Sequence, residues 1–351
     1  MLATAMRNNI KGLPGAAAAI IIAVALVSPQ AVGYERAEAS TPSTSPYLVN
    51  QVQGYGAGMV ALSPTEYLLG FIGGRRAAII DPIDGREIIA ATLPTSGCET
   101  YSPGCTFSKD GQLFAASVNN CVVVIDVFSE TVLIKEAMPD TLWGIGALSF
   151  TPDSQNLLMG GDVRGVYKLD LSSRTLAHPQ IPGGDVVGIQ LMPDDSTAAI
   201  ARFDGNVDLW AWRRGQLVGT LGGCEVYCPS LVVAGRYVLA GCGGHEIRVW
   251  DARTHEDLGV IRDYPFIGQQ FSASGRTGLL LAGSQPGRPG DAEGSTTCTI
   301  VLIDIATGQL IKSWRSHTAQ GIYDTAISED GHLLVTCGYD GMINVWCRER
   351  E

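Results

Sequence analysis

The chain has 351 residues, 46% hydrophobic and 17% charged, a globular composition large enough to bury a substantial core. Its 24 basic and 35 acidic residues give a net charge of −11 with no basic stripe. Phosphate binding requires clustered Lys and Arg, so this balance argues against nucleic acid as a partner.

At the start of the chain Arg7 and Lys11 precede an apolar run, Leu13–Val27. A spanning helix needs about 20 apolar residues, and Pro14-Gly15 shortens this run further. The pattern predicts a secretory signal peptide over residues 1–33. Small residues suited to cleavage stand at Ala31-Val32-Gly33 and again at Ala37-Glu38-Ala39, with no twin-Arg before the run and no Cys after it. An uncleaved membrane anchor and an incidental apolar tail are the alternatives. Residues 34–46, which include STPSTSP at Ser40–Pro46, read as a polar linker, and a strand-like pattern begins at Tyr47.

From residue 47 onward the chain repeats. An apolar run leads to a turn at Ser63-Pro64, Ser108-Lys109-Asp110-Gly111, Thr151-Pro152-Asp153, Met192-Pro193-Asp194, Ala234-Gly235, Ser272-Ala273-Ser274-Gly275 and Ser328-Glu329-Asp330-Gly331. The steps between these seven turns are 45, 43, 41, 42, 38 and 56 residues. Each copy later has a run closing near Asp or Trp: Ile80-Asp81, Ile125-Asp126, Leu169-Asp170, Leu209-Trp210, Trp250-Asp251, Ile303-Asp304 and Val345-Trp346. The last copy shows the unit most clearly. It has runs at Ile322–Ile327, His332–Thr336 and Met342–Trp346, joined by two Asp-Gly turns in which Gly supplies the positive φ. Four strands per unit of about 40–45 residues is the signature of a propeller blade. The predicted fold is all-β, a seven-bladed β-propeller over residues 47–351.

With these residues in view the chain resembles the WD-repeat propellers, the family named for the dipeptide found here at Trp250-Asp251. The resemblance covers the chain from about Tyr47 onward. In the last copy it includes the family's buried polar tetrad: His317 before the first strand, Thr336 in the second, Asp340 in the turn and Trp346 in the third. Copy four keeps Asp204 and Trp210 but has Ile200 and no leading His, and copy five has His245 where the turn Asp would stand. Copy seven lacks a fourth strand of its own, and Tyr47–Gln53 is the expected replacement, pairing beside Met342–Trp346. Such closure removes exposed sheet edges. The long step comes from a Gly/Pro-rich insertion, SQPGRPGDAEGSTTC, between Leu279–Ala282 and Thr299–Ile303. It reads as a tolerated surface loop, with a binding loop as the alternative.

Nine Cys are present. Cys121, Cys242, Cys298 and Cys337 lie in or at the ends of apolar strands, where a buried thiol acts as a small hydrophobe. Cys98/Cys105 and Cys224/Cys228 lie in loops entering first strands and read as disulfide candidates in an exported protein, with Cys228–Cys242 as a third possibility. Cys347 is the expected unpaired thiol. Neither pair has zinc-site spacing or a nearby His, so no metal is expected. There is no Gly-x-Ser-x-Gly elbow, no phosphate loop, no zinc-protease helix and no haem motif. No cofactor is expected. Asp81, Asp126, Asp170, Asp251 and Asp304 form a row that the repeat itself explains, and the tetrad matches a stabilising network rather than a hydrolytic one.

The expected activity is therefore recognition by a surface. The resemblance implies docking on the face bearing the loops into the first strands and the second-to-third turns. Carried over by position, that face would hold Tyr323 and Tyr339 of copy seven and Phe203 and Arg202 of copy four. It would also hold Tyr227 of copy five, and Trp143 and Arg164 of copy three. Tyr, Trp and Arg are the types that anchor hot spots, although several would merely cover the rim. The reading is a non-enzymatic, secreted or periplasmic scaffold for a protein or peptide, touching a membrane only if its N-terminal segment is uncleaved. The alternatives are a wall-forming subunit of an exported redox complex, resembling the non-haem β-subunit of quinohaemoprotein amine dehydrogenase, and a cytosolic scaffold.

Overall fold

The computed structural model describes residues 46–54, 57–95, 103–139, 144–161, 165–177, 185–222, 224, 228–243, 246–262, 264, 271–283, 297–318 and 321–348. Every regular element among them is a β-strand, so no described helix is long and apolar enough to cross a membrane. The proposed signal segment and residues 34–45 lie outside the described residues.

The strands form seven four-stranded sheets, each an antiparallel meander. Blade 1 consists of Ala57–Leu62, Leu69–Gly73, Arg76–Ile80 and Glu87–Thr92; blade 2 of Pro103–Phe107, Leu113–Val118, Cys121–Asp126 and Thr131–Ala137. Blade 3 consists of Ile145–Phe150, Asn156–Gly161, Tyr167–Asp170 and Leu176–Ala177; blade 4 of Val186–Leu191, Thr197–Arg202, Val207–Ala211 and Gln216–Leu221. Blade 5 has Leu231–Ala234, Tyr237–Cys242, Glu246–Asp251 and Asp257–Ile261; blade 6 has Phe271–Ser274, Leu279–Gly283, Thr297–Asp304 and Leu310–Thr318. Blade 7 has Ile322–Ile327, Leu333–Gly338 and Met342–Cys347, and its outermost strand is Tyr47–Gln53. The seven first strands touch one another in sequence, and those of blades 7 and 1 also meet, so the ring is closed with the first strands innermost.

Side-chain alternation explains where the core lies. A blade's two faces are both covered by neighbouring blades, so strands near the centre bury residues of either parity. In Cys121–Asp126, Cys121, Val123 and Ile125 join a cluster with Ile72 and Ile79 of blade 1, whereas Val122 and Val124 join Leu157 and Met159 of blade 3. Seven such clusters fill the seven clefts between blades. Outermost strands have one exposed face, as in Thr131–Ala137, where Ile134 is buried between exposed neighbours. Close packing also selects Gly70: a Cβ there would stand 2.2 Å from the Phe114 ring of blade 2.

Tyr47–Gln53 pairs antiparallel with Met342–Cys347, with Tyr47 opposite Cys347 and Gln53 opposite Met342, as the strand pattern implied. Side chains reinforce the ladder. Gln51 Nε2 donates to Asn344 Oδ1 (2.8 Å), and Asn50 Nδ2 donates to the Pro82 carbonyl of blade 1 (3.2 Å). Deleting Tyr47–Gln53 would leave Met342–Cys347 as a bare apolar edge. Light scattering should then show aggregation, whereas deletion of residues 40–45 should leave the melting temperature unchanged. Two truncations melting together with the parent would disprove the closure.

Candidate functional site

The sharpest side-chain constellation belongs to blade 7. His317, at the end of blade 6's last strand, is buried, and its Nδ1 lies 2.9 and 3.1 Å from the two carboxylate oxygens of Asp340. Its Nε2 lies 2.9 Å from Thr336 Oγ1, which also accepts the Trp346 indole N–H at 3.3 Å. The donors and acceptors close without conflict if Nδ1 carries the proton: Asp340 accepts it, and the Thr336 hydroxyl donates to Nε2. The imidazole can lie flat here because residue 338 is Gly; a Cβ would approach the ring to 2.5 Å. The network runs further than the tetrad. Ser316 Oγ is 3.3 Å from Thr336 Oγ1 and accepts from Asn344 Nδ2 at 3.2 Å, and Asn344 in turn holds Gln51. Ser316, Asn344 and Gln51 escaped the sequence reading because only the pairing of a strand nearly 300 residues away brings Gln51 to them.

The same position fails in blade 4, where Ile200 replaces the hydroxyl residue. The Trp210 indole nitrogen is buried with no hydrogen-bond partner. Arg202 stands where blade 7 has Gly338, and its Nε donates to the Asp208 carboxylate, which also accepts from Thr220 Oγ1 at 2.9 Å. Arg202 is 6% exposed. This corrects its assignment to a docking face: the guanidinium is consumed inside the blade, where burying it unpaired would be costly.

Asp340 also shapes the surface. Its Oδ1 accepts the Met342 N–H, and the preceding Tyr339 N–H donates to the Gly321 carbonyl, so the turn 338–341 is held at both ends. That turn lays the Tyr339 ring on Tyr323, the centroids 3.7 Å apart and the planes inclined by 19°. Tyr323 is half-buried against the blade 7–blade 1 core, and Tyr339 is 44% exposed. The two predicted residues therefore form one aromatic platform. Phe203, 59% exposed in the corresponding turn of blade 4, lies on the same end of the propeller. Trp143, Arg164 and Tyr227 lie outside the described residues, as do His245 and residues 284–296 of the blade 6 insertion.

The described disulfide joins Cys224 to Cys242, with Cα atoms 5.0 Å apart. It replaces both pairings expected for Cys228. Cys228 is a free thiol packed in the core between blades 4 and 5, where burial pushes its pKa up to about 12. Cys105 is also free, so it forms no bond to Cys98, which lies outside the described residues. Cys121, Cys298, Cys337 and Cys347 are buried. Cys347 is not isolated, for its Sγ lies 3.1 Å from His332 Nε2.

The row of carboxylates after the third strands caps the turns that follow. Asp81, Asp126, Asp170, Asp251 and Asp304 each accept a backbone N–H two or three residues ahead. At the end opposite the platform, Tyr67 donates its hydroxyl proton to Asp330, tying blade 1 to blade 7. Burial tends to raise the Asp330 pKa, but hydrogen bonds from Ser328, Tyr67 and the His332 backbone outweigh it and hold the group at about 2. A cavity of about 230 Å³ opens there, lined by residues 63–67, Arg276 and residues 328–330.

One acidic residue went unnoticed in the sequence. Asp324 lies in the innermost strand of blade 7, 7% exposed, and its Oδ2 accepts the Val60 N–H of blade 1 at 3.0 Å. Burial raises its pKa to about 7, only partly offset by the hydrogen bonds from the Val60 and Thr325 backbones. A carboxylate inside the apolar run Ile322–Ile327 was the available signal.

Seven closed blades and a complete His-Thr-Asp-Trp tetrad are the features of a WD-repeat β-propeller, and the chain is similar to that family. The WD domain, G-beta repeat family matches residues 308–347, the stretch containing all four tetrad residues. The chain is similar to autophagy-related protein 16 of Arabidopsis thaliana, 23% identical over 58% of this chain and 38% of that protein. It is also similar to the human angio-associated migratory cell protein, 22% identical over 49% of this chain and 53% of that protein. The chain thus spans about 38–53% of the length of these relatives. A WD-repeat propeller is in general a protein-binding scaffold.

If the tetrad is structural, Asp340→Ala leaves His317 with an unpaired buried N–H, at about 1–3 kcal/mol. The melting temperature should fall. An unchanged melting temperature would contradict this role for the network.

Proposed function

We propose that this propeller is an extracytoplasmic, non-catalytic scaffold that receives a protein or peptide on the end carrying Tyr323 and Tyr339. The observation that carries the reading is the stacked pair itself. Two aromatic rings, one half-exposed, are held in contact by a turn that a buried network fixes from beneath. Tyrosine offers a large amphipathic contact at small entropic cost, and a platform ordered before binding avoids the ordering penalty that flexible loops incur. Phe203 would extend the surface toward blade 4. The extracytoplasmic placement is supported by the basic-then-apolar pattern of residues 1–33 and by the Cys224–Cys242 bond, which an oxidising compartment sustains.

Two measurements test the reading. Affinity capture with the immobilised propeller, followed by mass spectrometry, supplies the partner. Tyr323→Ala/Tyr339→Ala should then weaken its binding by about 2 kcal/mol or more, roughly thirtyfold. Arg253→Ala should change nothing, because it lies at the opposite end, in the turn after Asp251. Release by the control and retention by the double variant would place the site elsewhere. Independently, residues 1–46 fused to a reporter should carry it across the membrane, with a mature N-terminus near Tyr34 or Ser40. A reporter that stays unprocessed in the cytosol would refute the export reading.

A further inference from the structure

We propose that the junction between blades 7 and 1 is a proton-sensitive lock, tightened when the Asp324 carboxyl carries a proton and loosened when it is ionised. The inference goes beyond partner binding and concerns the seam at which the ring is closed.

The geometry comes first. Asp324 sits at an irregularity in the pairing of Ile322–Ile327 with Leu333–Gly338, where the register shifts between Ile322 and Asp324. From there its carboxyl reaches across the cleft to the Val60 N–H, so the innermost strands of the last and first blades are joined by a side chain. No cation among the described residues accompanies it. The neighbouring strands Ala57–Leu62, Phe271–Ser274 and Leu279–Gly283 contain no titratable residue. The groups that do face it are two thiols, Cys337 of blade 7 and Cys105 of blade 2, both held neutral by burial and, secondarily, by the Asp324 charge itself. Asp340 lies within electrostatic reach of Cys337, but its carboxylate is occupied by His317. A buried carboxylate whose two backbone donors, Val60 and Thr325, only partly offset its burial, and which has no counter-ion among the described residues, is disfavoured in its charged form.

The sign of the pH dependence follows. Asp324 ionises near pH 7 in the folded protein and near 3.8 when unfolded. Between those values the native state holds a proton that the unfolded chain has lost, so acidification from about pH 8 toward pH 4 adds stability. The other shifted carboxyls, Asp110, Asp153, Asp170, Asp194, Asp251 and Asp330, are all lowered and act oppositely, but only below about pH 4. The window from pH 5 to 8 therefore isolates Asp324 from them, and comparison with a variant cancels the histidines. Tyr323 precedes Asp324 in the same strand, so the proton is held one residue from the aromatic platform.

The test is chemical denaturation of the full chain from pH 5 to 8, alongside Asp324→Asn, which keeps a side-chain oxygen for Val60. The ratio of the two unfolding constants should change by up to about tenfold per pH unit below pH 7 and level off above pH 8. Parallel curves would overturn the proposal. Should the variant fail to fold, carboxyl-¹³C NMR of the wild-type protein decides the matter. An aspartate carboxyl titrating near pH 7 supports the lock, and complete ionisation of every aspartate by pH 5.5 overturns it. Neither readout involves a partner, so the result is independent of the proposed docking function.

Discussion

The structure depends on one long-range pairing, the strand Tyr47–Gln53 against Met342–Cys347. A propeller's sheets pack face to face around a ring, so each blade is covered on both faces only if the first and last blades meet. Without Tyr47–Gln53 the seventh sheet would have three strands and a free edge. Its core cluster, shared with blade 1 through Val60, Phe71, Val335 and Val345, would lose the cover of Val49 and Val52. Closure is reinforced by contacts of different kinds: the Gln51–Asn344 bond, the Tyr67–Asp330 latch at one end, and the Asp324–Val60 bond at the centre. The joint between the chain's distant parts is thus held by polar contacts at both ends and at its centre.

The buried network of blade 7 shows how such chemistry serves the surface. A hydrogen-bonded chain from Gln51 through Asn344, Ser316, Thr336 and His317 to Asp340 connects the closing strand to the turn carrying Tyr339. Fully satisfied polar networks specify one arrangement, because each half-made alternative strands a donor or acceptor in low dielectric. The turn beneath the platform is tied to the same network that holds the closing strand. The stabilising network and the proposed docking surface therefore share residues here.

Blade 4 shows that the tetrad is dispensable when packing suffices. Its Trp210 fills the cleft between blades 3 and 4 with its indole N–H unanswered, and an internal Arg202–Asp208–Thr220 cluster occupies the place of the His-centred network. An orphaned N–H costs about 1–3 kcal/mol, which burial of an indole of 150–250 Å² can offset at about 25 cal/mol per Å². The repeats can thus drift in polar detail while apolar alternation is kept.

What the sequence determined by itself was periodic and local: seven turns about 40–45 residues apart, alternating apolar runs, the Ser/Thr and Asp residues of the turns, and one tetrad read in order. These are legible because hairpin geometry and side-chain alternation act over a few residues. The pairing of Tyr47–Gln53 with the last blade was also legible, since a missing fourth strand and an unassigned one imply each other. That Tyr323 and Tyr339 share one end of one blade followed from their positions in the repeat, whereas the stacking of their rings came from the tertiary structure. The tertiary structure alone decided the rest. It buried Arg202, because the Asp208 carboxylate gives the guanidinium a partner inside the blade. It joined Cys224 to Cys242 rather than to Cys228, because the entry loop brings Cys224 to the end of the next strand while Cys228 packs into the core. It also made Asp324 a seam residue, because only the curvature of the closed ring brings Val60 within hydrogen-bond distance of a carboxyl 264 positions away.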